Sequence, residues 1–206
     1  MPPIDPNAHD AFLLRQLIRP VVNQYEFRLP DADGAPGELI AFVEQKRFTF
    51  KEDIRFYADE TKQVELLRIK ARQRFDPAAR YDITGPNGEK VGEIQKVFGR
   101  SLLRSTYRLF DANGVETCEA QERNLAVALF RRVIGLVPYV GDLADWLPIP
   151  YHFVFTRDGK VLVHHTRRAW KLIDHYTIDC TPDTERTLDR RLVLAAAVGM
   201  DALQAR

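Results

Sequence analysis

A chain of 206 residues is long enough for one domain, or one domain with a terminal appendage, and its 45% hydrophobic content supplies a sizeable core. A formal net charge of +1 gives no global electrostatic case for nucleic acid or an acidic partner, so such a case must come from local clustering. Cys118 and Cys180 stand far apart without a CxxC or Cys/His ladder, which argues against a zinc site and demands no disulfide.

The N-terminus lacks the basic and apolar regions of a secretory signal. No apolar run approaches the roughly 20 residues of a spanning helix. The expectation is a cytoplasmic protein with no transmembrane segment, peripheral to a membrane if it meets one. Residues 1–22 read as a tail with a short helix: Asn7 or Asp10 as cap, Phe12, Leu13, Leu14, Leu17 and Ile18 on one side, and Pro20 as the stop. A single domain then covers 23–206.

From Tyr25 to about Arg123 strand follows strand. Polar turns recur at Asp31-Ala32-Asp33-Gly34, Asp59-Glu60-Thr61-Lys62, Gly85-Pro86-Asn87-Gly88 and Asp111-Ala112-Asn113-Gly114, and later at Arg157-Asp158-Gly159-Lys160. Asn-Gly and Asp-Gly pairs supply the positive φ angles of tight hairpins. Between them, runs at 39–44, 54–57, 64–73, 81–84, 91–98, 106–110 and 115–121 are rich in β-branched and aromatic residues. Many short antiparallel strands with regular turns point to a sandwich or a barrel.

The period changes at 124–134, where Asn124 is a candidate cap and a helix is expected. The Gly- and Pro-rich stretch 135–150 follows, so 124–150 reads as a helical and loop insertion. Strands return at 151–156, 161–165 and 170–178. The chain closes with a helix over 191–203, whose nine uncharged residues 192–200 are apolar on every side. A helix of that kind must be surrounded by protein or lipid, and nine residues are too few to cross a bilayer.

Several segments resemble the LURP-one-related and phospholipid scramblase branches of the Tubby C-terminal-like superfamily. They are Phe42-Val43-Glu44-Gln45-Lys46, Ile54-Arg55-Phe56-Tyr57-Ala58-Asp59, the stretch 81–96, Thr106-Tyr107-Arg108-Leu109-Phe110-Asp111 and Asp174-His175-Tyr176-Thr177-Ile178, with the terminal helix after them. The resemblance covers about 25–204 and rests on order and spacing. It implies a mainly β (α+β) fold: a closed antiparallel twelve-stranded barrel enclosing the hydrophobic C-terminal helix. Small residues at 195–197 and Gly199 suit a helix inside a narrow barrel, and closure removes exposed edges. Scramblases carry a proposed calcium site before that helix. Here Asp174 and Asp183 fall on carboxylate positions but Leu172 on the first, so no calcium site is expected. The phosphoinositide motif of Tubby proteins does not register on this chain.

Two surfaces are candidate sites. Arg68, Lys70, Arg72 and Arg74 alternate with less polar residues, so a strand puts four cations on one face over roughly 20 Å. That stripe suits lipid headgroups or another polyanion. The alternative is a solvated face paired across strands with acids such as Glu93, Glu116 or Glu119. The second candidate is the apolar segment 131–150. There Arg131, Arg132, Tyr139 and Trp146 suit a membrane or partner contact, the alternative being a cover over the barrel. His164 and His165 point to opposite faces of a strand and do not make a metal site. Nucleophile and nucleotide-binding motifs are absent, so no cofactor or catalytic residue is expected. The reading is a non-enzymatic binding module, with anionic phospholipid or a protein as partner; the competing class is an adaptor or structural protein acting through 131–150.

Overall fold

The computed structural model describes residues 3–17, 22–46, 53–72, 80–97, 105–123, 152–168 and 175–204, to the side chain except at 46, 168 and 201–204. Twelve strands run in order. They are β1 (Ala11–Leu17), β2 (Val22–Pro30), β3 (Pro36–Lys46), β4 (Asp53–Tyr57), β5 (Glu65–Ala71) and β6 (Arg80–Thr84). The second half comprises β7 (Lys90–Lys96), β8 (Thr106–Asp111), β9 (Glu116–Glu122), β10 (His152–Arg157), β11 (Lys160–Arg168) and β12 (His175–Asp179). Each pairs antiparallel with its neighbours in sequence, and β1 pairs with β12 to close a barrel. Helix α1 (Arg190–Gln204) follows.

Alternation decides what enters the barrel. The inward set is continuous around the wall: Phe12 stands opposite Ile178, Ile178 opposite His165, His165 opposite Phe153, and Phe153 opposite Glu122. All nine residues from Leu192 to Gly199 and Met200 are buried, so α1 is an internal plug. It lies closest to β5, β7 and β8. There Gly92 admits it: a Cβ at that position would meet the Phe110 carbonyl oxygen at 2.4 Å and a Leu192 methyl at 3.2 Å. The opposite wall fills the remaining width with Phe12, Phe27, Phe153 and Phe155.

Five hairpins gather at one end, the turn end. Gly34, Gly88 and Gly114 take φ of +73°, +80° and +81°, while Asp158 and Gly159 take +50° and +78°. Lys62 adopts the same left-handed conformation at +58° in the fifth turn. The Asp-Ala-Asp-Gly and Asp-Ala-Asn-Gly turns are built alike. Asp31 Oδ1 accepts from the Asp33 and Ala35 amides, and Asp111 Oδ1 from those of Asn113 and Val115. These side chains satisfy turn amides that pairing leaves over.

One expectation is overturned. Residues 11–17 are strand β1, not part of a short helix, and the barrel begins there rather than at 23. Phe12 and Leu14 point inward while Arg15 is exposed, a period of two. The run Phe12-Leu13-Leu14 fits either period. Pairing with both β2 and β12 decides it, because closure needs this stave. The only helical turn nearby in the described residues is a 3-10 turn at Pro6–Ala8 capped by Asp5. Asn7 does cap a helix, but a distant one: its Oδ1 accepts from the Arg190 amide at the start of α1, 2.8 Å away.

A buried latch fixes α1 at the turn end. Arg190 donates through Nη1 to Asp183 Oδ2 at 2.6 Å and through Nη2 to Asp10 Oδ1 at 2.9 Å. Asp183 also accepts from the Leu188 and Thr187 amides and the Thr187 hydroxyl. Burial opposes ionisation of Asp183, but the Leu188 amide, Arg190 and Thr187 outweigh it and hold the carboxyl down at about 2. Arg186 adds bonds to Asp10 and the Asn7 carbonyl. Asp189 Oδ1 accepts from the Arg191 amide as the helix cap. Asp183, the described carboxylate of the scramblase-type stretch, is thus committed to the latch; Leu172 and Asp174 lie outside the described residues.

The interior is polarised along the axis. Near the turn end the inward positions are Phe12, Phe27, Phe56, Leu109 and Phe155, all buried. Near the far end the inward register carries Gln16, Gln45, Lys96, Glu122, His165 and Arg167. Helix α1 runs about 22 Å toward that end. The latch carboxylates sit at its positive terminus, and Lys96 and Arg167 occupy the half holding its negative one.

Candidate functional site

The basic stripe lies on the outer face of β4–β7, because Leu67 and Ile69 take the inward positions of β5. Arg68 forms a two-pronged pair with Asp53, Nε and Nη2 each 2.7 Å from a carboxylate oxygen. Arg55 reaches the same Asp53 at 3.3 Å and Glu65 at 3.5 Å. Arg72 clasps Asp82 through Nε and Nη2 at 2.7–2.9 Å and touches Glu93 at 2.6 Å. Arg80 and Lys90 also converge on Glu93, at 3.3 and 3.2 Å. Lys70 is exposed, and among the described residues no carboxylate lies within ion-pairing distance of it.

The result is a lattice of alternating charge with a cationic surplus. Arg55, Arg68, Lys70, Arg72, Arg80 and Lys90 face Asp53, Glu65, Asp82 and Glu93. Hydrogen bonds to Asp82 raise the Arg72 pKa above its ordinary value, and the bond to Asp53 does the same for Arg68. Burial of Asp53 works against its ionisation, yet bonds from Arg68 and Arg55 overcome it and keep its pKa low. Asp53, Arg68 and Arg72 are therefore held in their charged forms at neutral pH. Arg68, Lys70, Ala71, Arg72, Asp82 and Thr84 line an open depression of about 510 Å³. Its lining offers an ammonium, a hydroxyl and two guanidinium groups fixed by carboxylates, one of which, that of Asp82, also lines it.

The structure brings Arg68, Lys70 and Arg72 together as expected from their spacing. Arg74 and the second candidate set, Arg131, Arg132, Tyr139 and Trp146, lie outside the described residues, as does the helix expected at 124–134. The pairing acids are Asp53, Asp82 and Glu93; Glu116 and Glu119 instead approach Arg108, at 3.7 and 3.9 Å. Asp53 and Asp82 were missed although the signal existed: each occupies a polar position of a strand adjacent to β5.

His165 and His164 do part, as alternation requires. His165 is buried inside, its ring 5.2 Å from that of Tyr176, and burial presses its pKa down to about 3. His164 lies outside, its ring 5.6 Å from that of His152. Cys118 and Cys180 are free buried thiols pushed up to about 12 by desolvation.

A closed twelve-stranded meander threaded by its own C-terminal helix defines a class of protein: barrels whose core is a sequestered helix. Within that class, a LURP-one-related family profile matches residues 39–201, and the chain belongs to the LURP-one-related family. No curated protein and no solved structure matches the chain significantly. Among the described residues no helix is long and apolar enough to cross a membrane.

Proposed function

We propose that this protein is a non-enzymatic binding module that docks on an anionic phospholipid surface through the outer face of β4–β7, as a cytoplasmic, peripherally associating protein. The observation that carries the reading is the cationic surplus of that lattice around the depression at Lys70. Asp53 and Asp82 hold the guanidinium planes of Arg68 and Arg72 in place, which lowers the entropy lost when phosphate oxygens arrive. A surplus of this size gives weak, salt-sensitive attachment, because each basic residue near an anionic surface contributes about 1 kcal/mol.

Co-sedimentation with vesicles tests it. The wild-type protein is expected to sediment with phosphatidylserine-containing vesicles and not with phosphatidylcholine alone. Lys70→Glu changes the local charge by two units, so partition falls about thirtyfold. Binding indifferent to lipid charge, or no binding, rejects the reading.

A further inference from the structure

The depression at Lys70 is not lined by cations alone. Arg68, Lys70 and Arg72 share it with the Asp82 carboxylate and the Thr84 hydroxyl. The register sets these groups out in two rows on the outer face. Lys70 of β5 stands directly opposite Asp82 of β6, and Arg68 directly opposite Thr84. Cross-strand partners lie about 5 Å apart at Cβ, and the two rows about 6.6 Å apart along the strand. The patch therefore has the dimensions of one small polar group.

Each group keeps capacity for a ligand. Arg68 commits Nε and Nη2 to Asp53, and among the described residues its Nη1 carries no hydrogen bond. Lys70 is exposed. Asp82 is 34% exposed at the side chain. Arg72 makes two bonds to Asp82 Oδ1 and one to Oδ2, and a carboxylate accepts about four, so Oδ2 can take a further donor. A ligand bringing only negative charge meets Asp82 as a repulsion. One with an ammonium beside its anionic groups turns the same carboxylate into a partner.

We propose that the depression is a headgroup site for phosphatidylserine, with the ammonium on Asp82, the carboxylate on Lys70, and the phosphate on Arg68 and Thr84. This rests on the docking reading above and names the lipid that the face selects. The serine headgroup carries its ammonium and carboxylate on a single carbon, which matches the direct opposition of Asp82 and Lys70. Its phosphate lies one methylene further, toward the Arg68–Thr84 row, where a guanidinium and a hydroxyl donate to phosphate oxygens. Arg72, clamped on Asp82, fixes the orientation of the carboxylate that receives the ammonium. Phosphatidylglycerol has the same net charge, but its glycerol brings neither an ammonium nor a carboxylate. Choline has no N–H to donate to Asp82 and no carboxylate for Lys70.

The test measures partition of the full-length protein onto phosphatidylcholine vesicles holding the same mole fraction of either phosphatidylserine or phosphatidylglycerol. Surface charge is then equal, and only the headgroup differs. Two added exposed charge pairs, each a factor of up to about five, set an expected preference for the serine lipid of about fivefold to tenfold. Asp82→Asn keeps the shape, and Glu93 still holds Arg72. Losing a negative charge strengthens binding to both lipids, while the serine-to-glycerol ratio falls below about twofold. Asp53→Asn makes the same charge change on the other flank of Lys70, outside the lining of the depression. There both affinities rise and the ratio stays at its wild-type value. Equal partition of the wild type onto the two lipids overturns the headgroup site and leaves the docking reading standing. So does an Asp82→Asn ratio that does not change, or an Asp53→Asn ratio that falls as far. No association with either anionic vesicle overturns both.

Discussion

Asp183→Asn tests the latch that seats the central helix. Asp183 and Arg190 are both 1% exposed at the side chain and 2.6 Å apart, so neither charge is compensated by water. The Asp183 carboxyl sits at about 2 against an ordinary value of 3.8. That gap corresponds to about 2–3 kcal/mol of stabilisation at neutral pH. Asparagine keeps the shape but puts an amide donor where an acceptor is needed, and Arg190 keeps only the half-exposed Asp10 carboxylate and the Leu188 carbonyl among its described partners. Breaking a buried pair from one side costs about 3–5 kcal/mol, so the loss at pH 7 falls between about 2 and 5 kcal/mol. The sign with pH follows from a folded pKa below the unfolded one. The Asp183 contribution is complete above about pH 4, and most of it is gone by pH 2.5 as the carboxyl approaches protonation. Urea unfolding of wild type and variant at pH 7 and pH 2.5 measures both quantities. A loss under about 1 kcal/mol at pH 7, or a difference just as large at pH 2.5, refutes the latch as the element holding α1.

Gly92→Ala places a methyl 2.4 Å from the Phe110 carbonyl oxygen, which is backbone and cannot rotate away. A loss of about 1–3 kcal/mol in urea unfolding is expected, and an unchanged midpoint would show that the helix does not lean on β7. His165→Phe removes a buried imidazole whose pKa is held at about 3. Because the unfolded chain binds that proton at about 6.5, wild type loses stability as pH falls below that value, and the variant escapes the loss. Between pH 7 and pH 5 the wild type should lose about 2 kcal/mol more than the variant; equal losses would mean the site admits the charged form.

The barrel was legible because its signals are local and repeated. Asp31-Ala32-Asp33-Gly34 and Asp111-Ala112-Asn113-Gly114 declare the same hairpin twice, and the apolar run 192–200 has no amphipathic face to lay on a surface. β1 was not legible, since Phe12, Leu13 and Leu14 satisfy both periods and only pairing with β2 and with the sequence-distant β12 chooses between them. The latch was hidden for the same reason. Asn7, Asp10, Asp183 and Arg190 look like unrelated caps until closure brings the two ends of the chain together. The cations of the site were legible as an alternation in β5. Their carboxylate partners required the register, which brings Asp53 opposite Lys70 and Lys70 opposite Asp82.

That register also explains why the face is a lattice and not a bare stripe. Cations at alternate positions of one strand stand about 6.6 Å apart. Each neighbouring pair then repels by about 0.6 kcal/mol in bulk water and by about 2.5 kcal/mol at the effective dielectric of a protein surface. Three or four such cations would strain β5 against the sheet. Asp53 and Asp82, one on each flanking strand, remove most of that repulsion while leaving Lys70 between them without a direct ion pair among the described residues. The field that survives is the difference between two opposed sets, small enough for the barrel to tolerate and concentrated at one residue. An affinity built this way depends on Lys70 out of proportion to its share of the charge. Exchanging Lys70 therefore discriminates better between a docking face and a merely soluble one than exchanging Arg68 or Arg72, whose loss would also strand a carboxylate.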